Sequence, residues 1–169
     1  MIDRILAIDP GTRESGWLVY DPAAGQPIQF GIDPNEQLVA MLRERWATPR
    51  FDVVVIEQVR PYGMATGIDI LETVRWAGRF EEAVYPTPVV LAPRKKVTAH
   101  ICGNANARDP NIRQALIDRF GGIDGKAAVI GRKACPGPLY GITSHVWAAL
   151  AIAIAYAEGG LGKDKEAAA

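Results

Sequence analysis

Apolar and polar residues alternate along the first third of the chain, which predicts strands. Residues 4–9 place successive side chains on opposite faces, as in a β-strand. Residues 16–21 and 28–32 show the same tendency, so the three segments predict an antiparallel meander. From residue 35 to 47 the apolar positions recur every three or four residues, which predicts an amphipathic surface helix.

The rest of the chain alternates strands with helices. Two apolar runs, 53–56 and 87–93, predict strands covered on both faces. Helical patterns cover 68–84, a basic segment that starts near Pro93, Asp109 to Phe120 and 144–158. Asp109 is expected to cap its helix, with Pro110 at the first helical position. This order predicts one α/β domain over residues 1–158, a mixed sheet with helices on its faces. Residues 159–169 lack a core-forming pattern and are expected to form a flexible tail.

Composition narrows the class of protein. The 169 residues are 49% apolar, which is enough for one sizeable core. No stretch approaches the roughly 20 apolar residues of a membrane span, so no membrane partner is expected. Cys102 and Cys135 are the two cysteines, and they fit a reducing compartment. We therefore expect a cytoplasmic protein.

The net charge is zero, but the charges are segregated along the chain. Residues 92–133 contain nine Lys and Arg against three Asp, whereas residues 1–91 are acidic overall. A basic segment of this kind indicates a phosphate-facing surface, although basic helices are often only solvated faces.

Two predicted strands end in an acid. Asp9 closes the first strand before a Pro-Gly turn, and Glu57 closes the run at 53–56. Simpler interpretations exist, because Asp9 could cap the turn and Glu57 could pair with Arg60. If the strands are neighbours, however, both carboxylates reach one sheet edge and repel unless a cation lies between them. Mg²⁺ or Mn²⁺ is the natural occupant.

His145 is the third candidate ligand. If Ser144 caps the last helix, His145 lies in its first turn, where the helix dipole favours the neutral, metal-binding imidazole. Ala148 and Ala149 share its face and would let the helix pack close to the sheet. The alternative is that His145 is only a capping or core residue. A metal cluster beside a basic surface suits phosphodiester hydrolysis with two ions about 3.5–4 Å apart.

Four segments in order resemble RuvC-type Holliday junction resolvases, especially the phage and prophage versions. They are "AIDPGTRESGW", the strand-end acid of "VVVIEQV", "CGNANARDPNIRQALIDRFG" and "PGPLYGITSHVWAALAIA". The resemblance implies an RNase H-like fold with a mixed five-stranded sheet. It also implies a Mg²⁺- or Mn²⁺-dependent homodimer that cleaves four-way DNA junctions. By position, Asp9 and Glu57 match the first two catalytic acids, and His145 matches the third position.

The sequence departs from the family at residue 148, where an aspartate is usual and this chain has Ala148. With Asp9 and Glu57 as the anionic ligands, a second ion should bind weakly. Asp69 and Asp109 are possible substitutes for the missing acid. A histidine ligand also shifts the expected preference toward Mn²⁺.

The resemblance also implies DNA-binding and dimer surfaces. Tyr62 or Met64, in the loop after Glu57, could wedge between bases; a turn residue covering the core is the alternative. Helix 68–84 matches the dimer helix, and its apolar residues surround more of the cylinder than one core face needs. The candidate phosphate contacts are Arg94, Lys95, Lys96, Arg108 and Arg113.

Other functions remain open at this point. A catalytically silent DNA-binding module is supported by Ala148, and a nuclease acting on forks or RNA–DNA hybrids is compatible with the same residues. An actin-like ATPase would need two such domains. A zinc site at His100, Cys102 and Cys135 has irregular spacing and too few ligands. Branched-DNA endonuclease is the function that the sequence favours.

Overall fold

The computed structural model describes residues 2–44, 51–60, 66–122 and 125–162. Its main sheet has five strands in the order β3-β2-β1-β4-β5. The first three strands form an antiparallel meander, and β4 and β5 run parallel to β1. The mixed five-stranded sheet expected from the sequence is therefore confirmed. The strands are β1 (Ile5–Asp9), β2 (Glu14–Asp21), β3 (Gln26–Pro34), β4 (Val53–Gln58) and β5 (Val89–Pro93).

Six helices accompany the sheet in the described part of the chain, and a short helical turn over Asp118–Gly122 follows the fourth. They form two layers, because one face of the sheet packs on α1 and α2 and the other on the C-terminal helices. None of these helices is long and apolar enough to cross a membrane. The helices are α1 (Asn35–Glu44), α2 (Ile68–Ala83), α3 (Arg94–Cys102), α4 (Asp109–Ile117), α5 (Lys126–Ile130) and α6 (Val146–Ala157).

The apolar helix α6 is the centre of the larger core. Residues 149–155 of this helix are all buried, and the helix packs in the same core cluster as the odd-numbered apolar side chains of β1 and β4. Side chains at positions i and i+2 of a strand share a face, so Asp9 continues the row of Ala7 and Glu57 continues that of Val55. Both acids therefore lie on the face of the sheet that α6 covers.

The register of the sheet brings Asp9 and Glu57 to the same edge. Strands β1 and β4 are parallel neighbours, and Ile8 pairs with Ile56 immediately before the two acids. Parallel strands end at the same edge of a sheet. The juxtaposition follows from this register and needs no loop to create it.

The turn after β1 is closed by residues other than Asp9. The Gly11 N–H donates to Ser15 Oγ (3.1 Å), and Ser15 Oγ donates to Asn35 Oδ1 (2.6 Å). Asn35 Nδ2 completes the circuit by donating to the Gly11 carbonyl (3.0 Å). Ser15 and Asn35 are both fully buried, so this network holds the turn against α1. The interpretation of Asp9 as a turn cap is wrong, because its carboxylate is left to other partners.

Helix α6 begins two residues later than predicted. Ser144 adopts a left-handed backbone (φ 41°) and makes no side-chain cap, and His145 is the residue that precedes the first helical position, Val146. The carbonyl groups of Thr143 and Ser144 accept bonds from the first two amides of the helix. A tight turn thus replaces the predicted serine cap and places His145 directly before the first turn of the helix.

Gly16 lets this turn lie directly against the sheet. It pairs with Asp9 across β1 and β2. A Cβ atom on Gly16 would lie 2.6 Å from the backbone carbon and the Cβ of His145, closer than real contacts allow. A glycine inside a strand often marks such a close approach of another backbone. The absence of a side chain at residue 16 is what allows His145 to approach Asp9.

Helix α4 also begins differently from the prediction. Arg108, with an extended backbone, is the residue before the helix, and its N–H donates to the side chain of Asn111 (3.1 Å). Asp109 is the first helical residue instead of the cap. The reason lies in its carboxylate, which is bound by Arg94 from the neighbouring helix.

Two features of the C-terminal third were not predicted. A small hairpin pairs β6 (Gly131–Arg132) with β7 (Cys135–Pro136). Beyond α6 the chain stays packed, since Leu161 is 4% exposed and its carbonyl accepts a bond from Lys96 Nζ (2.9 Å). Ordered packing thus extends past residue 158, where the sequence predicted the tail to begin; residues 163–169 lie outside the described part.

Replacing Gly16 with alanine should destabilise the protein and disturb His145. Because the new methyl group meets rigid backbone, we expect a loss of roughly 1–3 kcal/mol in the free energy of unfolding. Urea denaturation measures the loss. Gly78→Ala is the matched control, since nothing lies within 4 Å of a Cβ at Gly78 in the middle of α2. The control should be neutral or stabilising; equal losses in both variants would contradict the close approach.

Candidate active site

Asp9, Glu57 and His145 meet at the edge of the sheet. Asp9 and Glu57 are only 6% and 8% exposed, and His145 is half-buried. The Nδ1–H of His145 donates to Asp9 Oδ2 over 2.8 Å. Asp9 and Glu57 are close enough that the charge of Asp9 acts on the Glu57 carboxyl group. The structure brings together the three residues that the sequence singled out.

The Glu57 carboxyl group is held in a state that resists ionisation. Burial, followed by the negative charge of Asp9, raises its pKa from an ordinary value of 4.5 to about 8. Arg94 opposes the shift but does not cancel it. Two acids side by side in a dry environment cannot both ionise without a cation. In the metal-free protein a proton on Glu57 relieves the repulsion, and a divalent cation could replace that proton.

His145 is more basic than the sequence suggested. The hydrogen bond to Asp9 is the largest cause that raises its pKa, and burial opposes it. The contact with Asp9 therefore shifts the pKa of His145 in the opposite direction to the one expected from the helix dipole. A metal-binding histidine commonly donates its other N–H to a carboxylate, which orients the ring. Donation from Nδ1 leaves Nε2 of His145 as the nitrogen able to bind a metal.

Arg94 is drawn into the site instead of lying on an outer surface. Its Nη1 donates to Glu57 Oε1 (3.1 Å), and its Nη2 donates to a carboxylate oxygen of Asp109. The alternative pairing of Glu57 with Arg60 is wrong, because Arg60 Nε donates to Gln58 Oε1 (2.6 Å). Glu57 does have an arginine partner, but it comes from the helix that follows β5.

An open cleft of about 740 Å³ runs past these residues. Its walls come from the ends of β1, α3, α4, α5 and α6. Arg113 projects into it with its guanidinium 5.2 Å from the centre of the Trp147 ring, an arrangement that favours a cation over the ring. The walls therefore combine acidic and basic groups, and the residues that matter to the argument are Asp9, Arg94, Asp109, Arg113, Lys126, His145 and Ala148.

The other residues predicted to contact DNA or to replace the missing acid lie in different parts of the structure. Lys95 and Arg108 are exposed, whereas Lys96 Nζ donates a hydrogen bond to the backbone carbonyl of Leu161. Asp69 is exposed in the first turn of α2 and is not among the residues that line the cleft. The predicted wedge residues, Tyr62 and Met64, lie outside the described residues.

His100, the histidine considered for a zinc site, has a different partner. His100 Nε2 lies 2.6 Å from Glu158 Oε2, and both cysteines are free thiols. Within residues 2–44, 51–60, 66–122 and 125–162, no three His, Cys, Asp or Glu side chains form a ready-made set of metal ligands.

The acids at the sheet edge nevertheless fit a hard divalent cation. Their donor atoms are carboxylate oxygens and one imidazole nitrogen, which Mg²⁺ and especially Mn²⁺ accept. The raised pKa of buried Glu57 shows that this pair needs a compensating positive charge. In the geometry described here Asp9 is bonded to His145 and Glu57 to Arg94, so these side chains must reorient to bind an ion.

Sequence reasoning missed three contributors to the site. Gly16 carried a usable signal, a glycine inside an apolar strand. Lys126 and Trp147 line the cleft but lie in segments whose patterns suggested only a connection and a core helix. Their roles depend on how α5 and α6 pack against α4, which no local pattern encodes.

Stability should fall as pH rises through the titration of Glu57. Its folded-state pKa is raised, so the folded protein holds a proton that the unfolded chain releases above pH 4.5. The stabilisation is complete below pH 4.5 and is lost as pH rises toward about 8, by up to about 1.4 kcal/mol per pH unit. His145, whose pKa is also raised, contributes with the same sign.

Urea denaturation in EDTA between pH 5 and 8 tests this prediction. Glu57→Gln should flatten most of the decline, and Glu36→Gln on the exposed side of α1 is the control that should leave it unchanged. A wild-type stability that rises with pH across this window would contradict the assigned environment of Glu57.

Comparison with known proteins identifies the fold. No protein-family model matches the sequence, and a search of curated proteins finds no match. Among solved structures, the chain is similar to Thermus thermophilus RuvC, with 20% identity and a TM-score of 0.63 over 95% of this chain and 98% of that one. It is also similar to T. thermophilus RuvC in complex with a Holliday junction substrate, with 20% identity and a TM-score of 0.65 over 91% and 92% of the two chains.

These similarities span almost the whole of both chains, and they agree with the mixed sheet and its helical layers. They bear out the fold that the four sequence segments implied. The chain has the RuvC-like, RNase H-like fold.

Proposed function

We propose that the protein is a metal-dependent endonuclease that cleaves four-way or other branched DNA junctions as a homodimer. The observation that carries the proposal is the pair of buried acids, Asp9 and Glu57, at one sheet edge with His145 beside them. The pair lies beside an open cleft whose walls include Arg94, Arg113 and Lys126, on a fold shared with RuvC structures, one of which holds a Holliday junction.

Each residue has a distinct part in this chemistry. Asp9, Glu57 and the Nε2 of His145 would hold the divalent metal, Mg²⁺ or Mn²⁺. Bound there, the metal supplies an activated water and neutralises charge on the phosphodiester. Asp9 also orients the imidazole through its bond to Nδ1. Arg113 and Lys126 line the cleft and would hold phosphate oxygens without reading the base sequence.

Helix α2 provides a surface for the dimer. Trp76, Phe80 and Ala83 bury one side of the helix in the core. The opposite side exposes Leu71, which is 55% accessible, and Val74. Leu71, Val74 and Gly78 lie on one stripe of the helical cylinder, so a second copy could cover that stripe. A two-fold dimer would present two clefts to the two matching strands of a junction.

A catalytically silent junction-binding module is the second candidate. Ala148 favours it, because this half-buried residue lines the cleft without offering a ligand. The buried acids argue for activity, since keeping two repelling carboxylates together is costly for a protein that only binds DNA.

A cleavage assay on a labelled four-way junction and a matching linear duplex tests the proposal. With Mn²⁺ we expect paired, symmetric nicks on the junction and little cleavage of the duplex. Asp9→Asn should reduce the rate roughly 100-fold or more, because it removes a charged metal ligand. Asp3→Asn, an exposed change at the opposite end of the sheet, is the matched control. Activity should be higher with Mn²⁺ than with Mg²⁺ if His145 is a ligand.

The outcomes separate the candidates. Tight junction binding without nicks in either metal would favour the silent module. Cleavage of a fork or an RNA–DNA hybrid in preference to the four-way junction would support the proposed nuclease chemistry but contradict the proposed substrate. Nicking that survives in Asp9→Asn would refute the assignment of the site.

Disrupting the exposed stripe of α2 should produce monomers. Leu71→Glu places a charge in the proposed interface and should weaken dimerisation at least 10-fold. Sedimentation velocity over a concentration series measures this directly. Ile28→Glu, an exposed apolar position on β3, is the control. A wild-type protein that stays monomeric at micromolar concentration would contradict the dimer.

A further inference from the structure

The position of Arg94 is fixed by the same sheet that fixes the acids. Glu57 pairs with Ala92 across β4 and β5, and Arg94 begins α3 two residues after Ala92. The guanidinium bridges two carboxylates, that of buried Glu57 and that of exposed Asp109 at the start of α4. A planar guanidinium offers its N–H groups in a rigid fork that suits such bridging. Arg94 is thus a positive charge built into the edge of the active site.

The charge of the cleft leaves little room for two divalent ions. The carboxylates of Asp9 and Asp109 line it and that of Glu57 is buried beside Asp9, and Arg94 already compensates part of the charge of Glu57 and Asp109. Two divalent ions would add four positive charges beside this arginine. Ala148, on the wall of the same cleft, contributes no ligand that would balance them.

We propose that Arg94 serves as the second cation of this site, so that each chain uses a single divalent ion. The inference rests on the proposed nuclease function. Asp9 and His145 would hold the ion, and Glu57 would face both the ion and Arg94. The guanidinium, held by Asp109, faces the cleft and would neutralise charge that develops on the scissile phosphate. Asp109 is then a positioning residue, and Ala148 is tolerated because no second ion needs an acid there.

The alternative use of the same residues makes the opposite prediction. If a divalent ion displaced Arg94, Glu57 and Asp109 would become its ligands, and the site would bind two ions. Arg94 would then be only a mobile phosphate contact. The two arrangements differ in the number of ions and in the step that Arg94 affects.

Manganese binding measures the number of ions without reference to activity. Equilibrium dialysis of the wild-type protein against MnCl₂ should give one Mn²⁺ per chain. Electron paramagnetic resonance at saturating MnCl₂, with and without junction DNA, should show no spin-coupled Mn²⁺ pair. The double variant Arg94→Ala/Ala148→Asp should gain a second ion and a coupled pair. Arg108→Ala/Ala148→Asp removes an exposed neighbouring arginine and is the control that should keep one ion.

Kinetics of Arg94→Gln tests the role of the guanidinium. A charge that acts on the reacting phosphate should change kcat, and we expect a fall of roughly 100-fold with junction affinity within about 3-fold of wild type. A loss confined to affinity, with kcat unchanged, would overturn the proposal.

Failure of this inference is distinguishable from failure of the proposed function. A wild-type protein that nicks junctions and shows a coupled Mn²⁺ pair would overturn the single-ion site and leave the nuclease standing. A wild-type protein that neither nicks junctions nor binds Mn²⁺ would overturn both.

Discussion

The repulsion between two buried carboxylates is the constraint on which the site depends. Strands β1 and β4 are parallel and in register, so their last inward-facing side chains, Asp9 and Glu57, must lie together. The surrounding core keeps water away, and the pKa of Glu57 rises to about 8 as a result. A fold that maintains this arrangement needs positive charge at the sheet edge. Arg94 supplies part of it, and the proposed divalent ion would supply the remainder.

The partners of the two acids come from two distant segments of the sequence. His145 arrives on the turn before α6 and can approach only because residue 16 is a glycine. Arg94 arrives directly after β5, the strand beside Glu57. Each is placed by a backbone element instead of a long loop, which favours a precisely held site. The cleft outside them is open and partly basic, which suits the proposed DNA substrate.

Much of the fold could be predicted from the sequence because its periods are clear. The apolar runs marked all five strands of the main sheet, and the acids at the ends of β1 and β4 were informative because parallel strands share an edge. The hairpin at 131–136 was not predicted, because two-residue strands are too short to show a periodic pattern. The predicted start of the C-terminal tail after residue 158 was too early, because the contact between Lys96 and Leu161 joins distant parts of the chain.

The same distinction applies to the site. Asp9, Glu57 and His145 could be chosen from local context, but the raised pKa of His145 could not be predicted, because it depends on a partner 136 residues away. The bridge from Arg94 to Glu57 and Asp109 likewise requires three elements to be in place. Charge pairing at a distance is decided by packing, and a pattern of neighbouring residues does not encode it.

Diffraction at the manganese absorption edge from crystals soaked in MnCl₂ tests the central claim most directly. The account predicts an anomalous peak at the ends of β1 and β4, with Asp9 and Glu57 oxygens at about 2.2 Å and an imidazole nitrogen of His145 nearby. A fully soaked crystal with no peak at this edge, and with the two acids still bonded to His145 and Arg94, would contradict it.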